Sequence, residues 1–123
     1  MLTAARWQSL WDGFAAVAPA HEFAALTARY AEPHRHYHTA QHINECLAHF
    51  DRARSLCEHT PEVELALWFH DAIYEPRAKD NEKKSADWAV RIMRGAGLPG
   101  DAQARVRALI MTTLPRRAAR DGG

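Results

Sequence analysis

Hydrophobic residues recur at intervals of three and four positions along almost the whole chain, which is the spacing of one face of an α-helix. The first such stripe extends as far as Pro19 and predicts an amphipathic helix. A second stripe predicts a helix from about His21 to Ala31, which ends before Pro33 because proline lacks a backbone amide and disfavours helix in the residue before it. The hydrophobic positions of these two helices are Leu2, Trp7, Leu10, Trp11, Phe14, Val17, Phe23, Leu26 and Tyr30.

Two helices are predicted in the middle of the chain, after a short loop at residues 32–37. Thr39 is a suitable N-cap for a long third helix, because its hydroxyl can accept a hydrogen bond from an amide of the first turn. Thr60 is followed by Pro61, and an N-cap followed by proline predicts the start of a fourth helix, the most apolar of the set. The third helix is expected to bury Ile43, Leu47, Phe50 and Leu56.

Two more helices are predicted in the C-terminal third. One is capped by Asn81 and stopped by Gly95 and Gly97, and the other runs from about Asp101 to Thr113. No strand pattern is present, so we predict an all-α fold, a single bundle of five or six helices at residues 1–114 with an unpacked tail at 115–123. The expected core includes Trp7, Trp11, Trp68, Phe69, Ala86, Trp88, Ala89, Ile92, Met93, Val106, Leu109 and Ile110.

Composition narrows the classes of function. A chain of 123 residues, 47% of them hydrophobic, suits one domain. The formal net charge of +1 provides no overall field for nucleic acid or an anionic membrane, so we expect neither as a partner. The longest apolar runs are far shorter than the about 20 residues of a membrane span. Cys46 and Cys57 are the only cysteines and no secretory signal is recognisable, which favours reduced thiols in the cytoplasm.

Histidines introduce candidate chemistry. The chain has eight, and five of them lie between residues 34 and 49. His38 and His42 are four positions apart at a helix start, so both rings are expected on one face, near enough to serve one site. The alternative is a pair of solvated polar residues. Ordinary surface positions are expected for His21, His34, His36, His49 and His59.

A second pair of ionisable residues, His70 and Asp71, ends an apolar segment where burial is predicted. Buried ionisable groups need partners. A divalent metal would bind an imidazole nitrogen and a carboxylate oxygen together. The alternative is a satisfied core histidine beside a capping aspartate.

Three segments, at residues 35–43, 66–76 and 80–86, together resemble a bacterial branch of the HD superfamily of predicted metal-dependent phosphohydrolases. The order and helical context match from about Tyr30 to Thr113, and the resemblance implies that the helical bundle is of the HD type. The stretch from Tyr37 to His42 is also similar to the tyrosine-histidine-asparagine-x-x-histidine segment of cyclic nucleotide phosphodiesterases. The resemblance implies hydrolysis of a nucleotide or another small phosphoester by metal-activated water.

The resemblance also implies roles for individual residues. His42, His70 and Asp71 would bind a divalent metal (Mn, Mg, Co, Ni, Fe or Zn), and Asp71 would bridge two ions where two are present. Asp71 is therefore also a catalytic candidate, together with His38 as the general acid that protonates the leaving oxygen. Candidates for contacting the substrate or supporting the ligands are Arg35, Asn81, Glu82 and Lys83. Helix capping and a solvated helix face are the alternatives for the last three.

The chain departs from the family after the sixth predicted helix. Family members carry a further aspartate ligand on a later helix, and a histidine soon after the position of Thr113, where this chain has Pro115 and Arg116. Asp121 is the only acidic residue after Asp101, and its glycine-rich surroundings do not favour it as that ligand. Three alternatives stay open: a phosphohydrolase, a non-catalytic metal- or nucleotide-binding relative, and an inactive truncated domain. A homo-oligomer is compatible with each.

Overall fold

The computed structural model describes residues 2–35 and 39–112, and within them it contains six α-helices and no strand. This confirms the all-α prediction. The predicted tail at 115–123 lies outside the described residues. Among the helices described, none is long and apolar enough to cross a bilayer. The helices are α1 (Ala4–Gly13), α2 (Ala20–Tyr30), α3 (Ala40–Ala53), α4 (Thr60–Phe69), α5 (Asn81–Gly95) and α6 (Gly100–Met111), with a short 3-10 helix, η1 (Arg54–Leu56), after α3.

Helix α4 lies at the centre of the bundle. It packs against α1, α3, α5 and α6, which explains why its sequence is apolar around most of its circumference. The four aromatic residues expected in the core, Trp7, Trp11, Trp68 and Phe69, are all buried. The Trp7 ring meets those of Trp11 and Trp68 edge-on, at centroid distances of 5.7 and 5.1 Å, a geometry that indole rings favour.

Buried acidic side chains on α4 fix its orientation. Glu64 accepts hydrogen bonds from Arg6 of α1 at 3.0 Å and from Arg54 of η1 at 3.2 Å. Glu62 binds the Arg105 guanidinium of α6 through both carboxylate oxygens, at 2.7 and 2.8 Å. Buried charges need such partners. These pairs connect α4 to three neighbours and so position the residues that follow its C-terminal end.

The prediction of burial is wrong for three residues. Helix α1 ends at Gly13, Ala15 adopts a positive φ of 55°, and the Val17 side chain is 88% exposed. Leu56 is 85% exposed, because α3 has already ended and the chain tightens into η1. Leu109 lies on the outer side of α6 and is exposed. In each case the helical spacing continues, but no element among residues 2–35 and 39–112 covers the side chain.

The observed helix caps also differ in detail from the predicted ones. Helix α3 begins after Thr39 as predicted, although the Thr39 side chain makes no capping bond within the described part of the chain. Helix α4 begins one position early, after His59, and the Thr60 hydroxyl donates to the Cys57 carbonyl at 3.3 Å instead. Asn81 is the first residue of α5 and not its cap. Polar side chains at helix starts have other backbone partners available, and here those partners compete with capping.

Candidate metal centre

The structure brings the three predicted metal ligands together where the first turn of α3 faces the C-terminal end of α4. His42 lies on α3, His70 terminates α4, and Asp71 follows it. The Asp71 Oδ2 atom is 3.7 Å from His42 Nε2 and 3.3 Å from His70 Nε2. The two imidazole centroids are 5.9 Å apart. Two segments that are distant in the sequence therefore present their ionisable groups to one point.

These separations suit a shared metal ion better than direct hydrogen bonds. A good N–H···O bond has a donor–acceptor distance of about 2.7–3.2 Å, which is shorter than either distance to Asp71. Two nitrogen or oxygen ligands that each lie about 2.1 Å from a tetrahedral ion are separated by about 3.4 Å. The distances of 3.3 and 3.7 Å bracket that value. The residues present thus fit a divalent cation.

Cys46 belongs to the same cluster, although the sequence did not single it out. It lies one helical turn after His42 on α3, and its Sγ atom is 3.7 Å from His42 Nε2. The candidate ligand atoms of His42, Cys46 and His70 all lie within 4.8 Å of one another, so these three residues could hold a metal ion. The available signal was the four-residue spacing between His42 and Cys46, which places both side chains on one helix face.

A backbone hydrogen bond fixes the orientation of the His70 ring. Its Nδ1 atom is 2.8 Å from the Leu67 carbonyl oxygen, and because a carbonyl can only accept, Nδ1 must donate. In the neutral ring the lone pair then resides on Nε2, the atom that lies beside Asp71. Histidines that bind metals commonly donate their second ring nitrogen in this way. His70 is therefore prepared to act as a ligand through Nε2.

Asp71 is a buried carboxylate whose charge acts on a neighbouring tyrosine. Its side chain is 1% exposed. Burial raises the pKa of the Tyr30 hydroxyl, and the negative charge of Asp71 raises it further. A buried negative charge is costly unless it is compensated. A cation bound between Asp71 and the two imidazoles would provide this compensation.

Arg35, a predicted substrate or supporting residue, holds the backbone beside Asp71. Its guanidinium donates from Nη1 to the Asp71 carbonyl and from Nη2 to the Ala72 carbonyl, each at 2.7 Å. The side chain is fully buried and lies over the rings of Tyr30 and Tyr74. This geometry favours the supporting role over direct contact with a phosphate.

Several other backbone groups of residues 71–75, here called the 71–75 segment, are also bound by side chains. Asn81, predicted as a supporting residue, accepts from the Glu75 amide at 3.1 Å and donates to the Glu75 carbonyl at 3.0 Å. An irregular segment normally leaves such groups to water. Side chains from α5 and from the loop after α2 fix this one instead. Two further pairs join the Ile73 amide to the Ser85 hydroxyl at 3.0 Å, and His34 Nε2 to the Tyr74 carbonyl at 2.8 Å.

The remaining candidates have different environments. Glu82 is buried in the first turn of α5. Lys83 is exposed and pairs with Asp87 at 3.1 Å on the same helix, as expected for a solvated helix face. His38 and Asp121 lie outside the described residues. The general-acid role of His38 therefore stays a prediction.

No protein-family model matches the chain, and neither a curated protein nor a solved structure matches it significantly. Membership of the HD superfamily thus stays a prediction from the three sequence segments. The structure itself shows an all-α bundle in which His42, Cys46 and His70 could hold a metal ion next to a buried carboxylate.

Proposed function

We propose that this protein is a metal-dependent phosphohydrolase that cleaves a nucleotide or another small phosphoester with water. The observation that carries the proposal is the convergence of His42, His70 and Asp71. Two imidazoles and a carboxylate are a ligand set for divalent cations. The same three residues lie in the segments that resemble the HD phosphohydrolases, and this resemblance supplies the reaction class.

When bound, a divalent cation supplies a Lewis acid that activates water and offsets charge on the phosphoryl oxygens. The chain's own residues hold the groups around it. The His70 Nδ1–H bond to the Leu67 carbonyl keeps the Nε2 lone pair directed at the site. Arg35 holds the backbone of Asp71 and so restrains its carboxylate. In this proposal His38, four positions before His42 in the sequence, gives a proton to the leaving oxygen.

The test is a hydrolysis assay of the full-length protein after it has been loaded separately with Mn²⁺, Mg²⁺, Co²⁺, Ni²⁺ or Zn²⁺. Nucleoside mono-, di- and triphosphates and cyclic nucleotides form the substrate panel. Asp71→Ala should abolish both metal binding and hydrolysis, because it removes a ligand. His38→Ala should retain the metal and lower turnover by about 10²–10⁴-fold, the usual effect of losing a general acid.

His49→Ala is the matched control, because His49 is an exposed histidine on α3, the helix that carries His42. It should change neither metal content nor turnover. Turnover that survives Asp71→Ala would refute the assigned site. Stoichiometric metal without hydrolysis of any substrate in the panel would refute the hydrolase and leave the metal-binding relative as the better description.

A further inference from the structure

We propose that Cys46 is a direct metal ligand, so that its thiolate joins the imidazoles of His42 and His70 in holding one zinc-class ion. The inference rests on the site of the proposed function and adds to it the coordination and the class of metal. It requires the ion to bind, but it does not require the protein to hydrolyse phosphoesters.

The spacing of the ligand atoms carries the first step. His42 and Cys46 project from one face of α3, and their Nε2 and Sγ atoms are 3.7 Å apart. A tetrahedral zinc ion with Zn–S of about 2.3 Å and Zn–N of about 2.0–2.1 Å separates its sulfur and nitrogen ligands by about 3.6 Å. A ring nitrogen of His70 lies within 4.8 Å of a ring nitrogen of His42 and of Cys46 Sγ. The thiol therefore stands at ligand distance from the same centre as the imidazoles.

Charge balance carries the second step. Asp71 and His70 are buried, with side chains 1% and 9% exposed, so a net charge at this point is costly. A divalent ion bound only by two neutral imidazoles and the Asp71 carboxylate would leave one positive charge. A Cys46 thiolate cancels it, and the proton of the thiol passes to the solvent when the ion binds. The charges of this thiolate and of the Asp71 carboxylate together balance that of a divalent ion.

The third step concerns the class of metal and rests on the chemical softness of the thiolate. Thiolate ligands favour Zn²⁺ and its spectroscopic substitute Co²⁺, whereas Mg²⁺ and Mn²⁺ favour oxygen ligands. Cys46 thus narrows the range of metals that the sequence left open.

The test is titration of the metal-free, full-length protein with Co²⁺, followed by ultraviolet and visible absorption. A thiolate ligand produces a strong sulfur-to-cobalt charge-transfer band in the near ultraviolet. We expect this band at one equivalent of Co²⁺ in the native protein, and its loss in Cys46→Ser. The same substitution should also weaken Zn²⁺ affinity. Loss of an outer-shell partner weakens metal affinity by about 10–100-fold, and loss of a direct ligand should weaken it at least as much.

Cys57→Ser is the matched control, because Cys57 is the second cysteine of the chain and its Sγ atom lies 3.7 Å from the Ala53 carbonyl. It should retain both the band and the Zn²⁺ affinity. Alkylation with iodoacetamide provides a measurement that needs no variant. Zn²⁺ should protect Cys46 from alkylation and leave the reactivity of Cys57 unchanged.

The outcomes separate this inference from the proposed function. Cobalt binding without the band, or Zn²⁺ that leaves Cys46 as reactive as before, overturns the inference and leaves a site of His42, His70 and Asp71 intact. The band together with no hydrolysis by any metal form supports the inference and removes the proposed function. Circular dichroism shows whether Cys46→Ser folds. If it does not, the cobalt spectrum and the alkylation of the native protein still decide whether Cys46 is a ligand.

Discussion

At the residue scale, Tyr30 makes the stability of the bundle depend on pH in the alkaline range. Its ring is buried, and its hydroxyl donates to the Trp68 carbonyl at 2.7 Å. Burial and the Asp71 carboxylate raise its pKa well above the ordinary tyrosine value of about 10. Because the folded-state pKa exceeds the unfolded-state pKa, this contribution to stability is fully present below about pH 10. It is lost as the pH rises towards the folded-state value.

We expect Tyr30→Phe to lower the free energy of unfolding by about 1 kcal/mol at neutral pH, the usual effect of a lost hydrogen bond. The variant should also lose less stability than the native protein between about pH 10 and 11, because the group that titrates is gone. Urea unfolding across this range measures both effects. Tyr74→Phe, which removes a tyrosine hydroxyl from a less buried position, is the control. A steeper alkaline decline in Tyr30→Phe would contradict the argument.

The sequence indicated most of the candidate ligands, for a physical reason. His70 and Asp71 stood out because ionisable residues ended an apolar run, where burial without a partner is costly. Cys46 did not stand out, because a thiol behaves as a small hydrophobic side chain in a helical stripe. Its 3.7 Å approach to His42 and its closeness to His70 distinguish it from an ordinary residue of that stripe. The four-residue spacing placed Cys46 on the same face of α3 as His42, but it did not show that His70 lies beside both.

At the element scale, the Arg35 guanidinium holds the 71–75 segment against the end of α2. Arg35→Lys keeps the charge, but a single ammonium lacks the planar fork that donates to the carbonyls of Asp71 and Ala72 together. We expect the variant to lose about 2–3 kcal/mol of unfolding free energy, because a buried hydrogen bond to a charged group is lost. Zn²⁺ affinity should fall by about 10–100-fold, as for other outer-shell partners.

Urea unfolding and Zn²⁺ titration measure these two effects of Arg35→Lys. Arg29→Lys is the matched control, because Arg29 is a partly exposed arginine that pairs with Glu32 near the end of α2. It should change the free energy of unfolding by less than about 1 kcal/mol, as expected for a surface ion pair. An Arg35→Lys variant with native stability and native metal affinity would refute the supporting role of this residue.

Helices were easier to predict than the segments that join them. The predicted ranges of the second and sixth helices agree with α2 and α6 to within two residues, because hydrophobic periodicity and proline or glycine stops act locally. Val17 and Leu56 extend the same periodicity and are nevertheless exposed, because burial depends on a neighbouring element. Asn81 was expected to cap a helix, but its amide group pairs with the Glu75 backbone. A single sequence does not reveal that competition.

At the scale of the whole molecule, the site depends on contacts between distant parts of the chain. Arg35 and Asp71 are 36 positions apart, and they meet only because α4 is held among its neighbours. The buried pairs of Glu62 and Glu64 contribute to that arrangement. Periodicity predicted the bundle, but it could not predict which ends of which helices would meet.

The hydrogen bonds of the 71–75 segment have a consequence for amide hydrogen exchange. The Ala72, Ile73 and Glu75 amides donate to the Phe69 carbonyl, the Ser85 hydroxyl and the Asn81 carboxamide oxygen, respectively. An amide exchanges only when its bond opens to solvent. Opening this segment would also break the buried bonds of Arg35, so it should exchange as slowly as the core helices although it has no regular secondary structure.

Deuterium uptake measured by mass spectrometry tests this prediction, with peptides from residues 54–59, an exposed connection after α3, as the comparison. Uptake by residues 71–75 as fast as that of residues 54–59 would contradict it. Slow uptake that accelerates only under conditions that unfold α4 would show that the segment and the core open as one cooperative unit. An incoming ligand would then have to reach the Asp71 side chain while the backbone of the 71–75 segment stays in place.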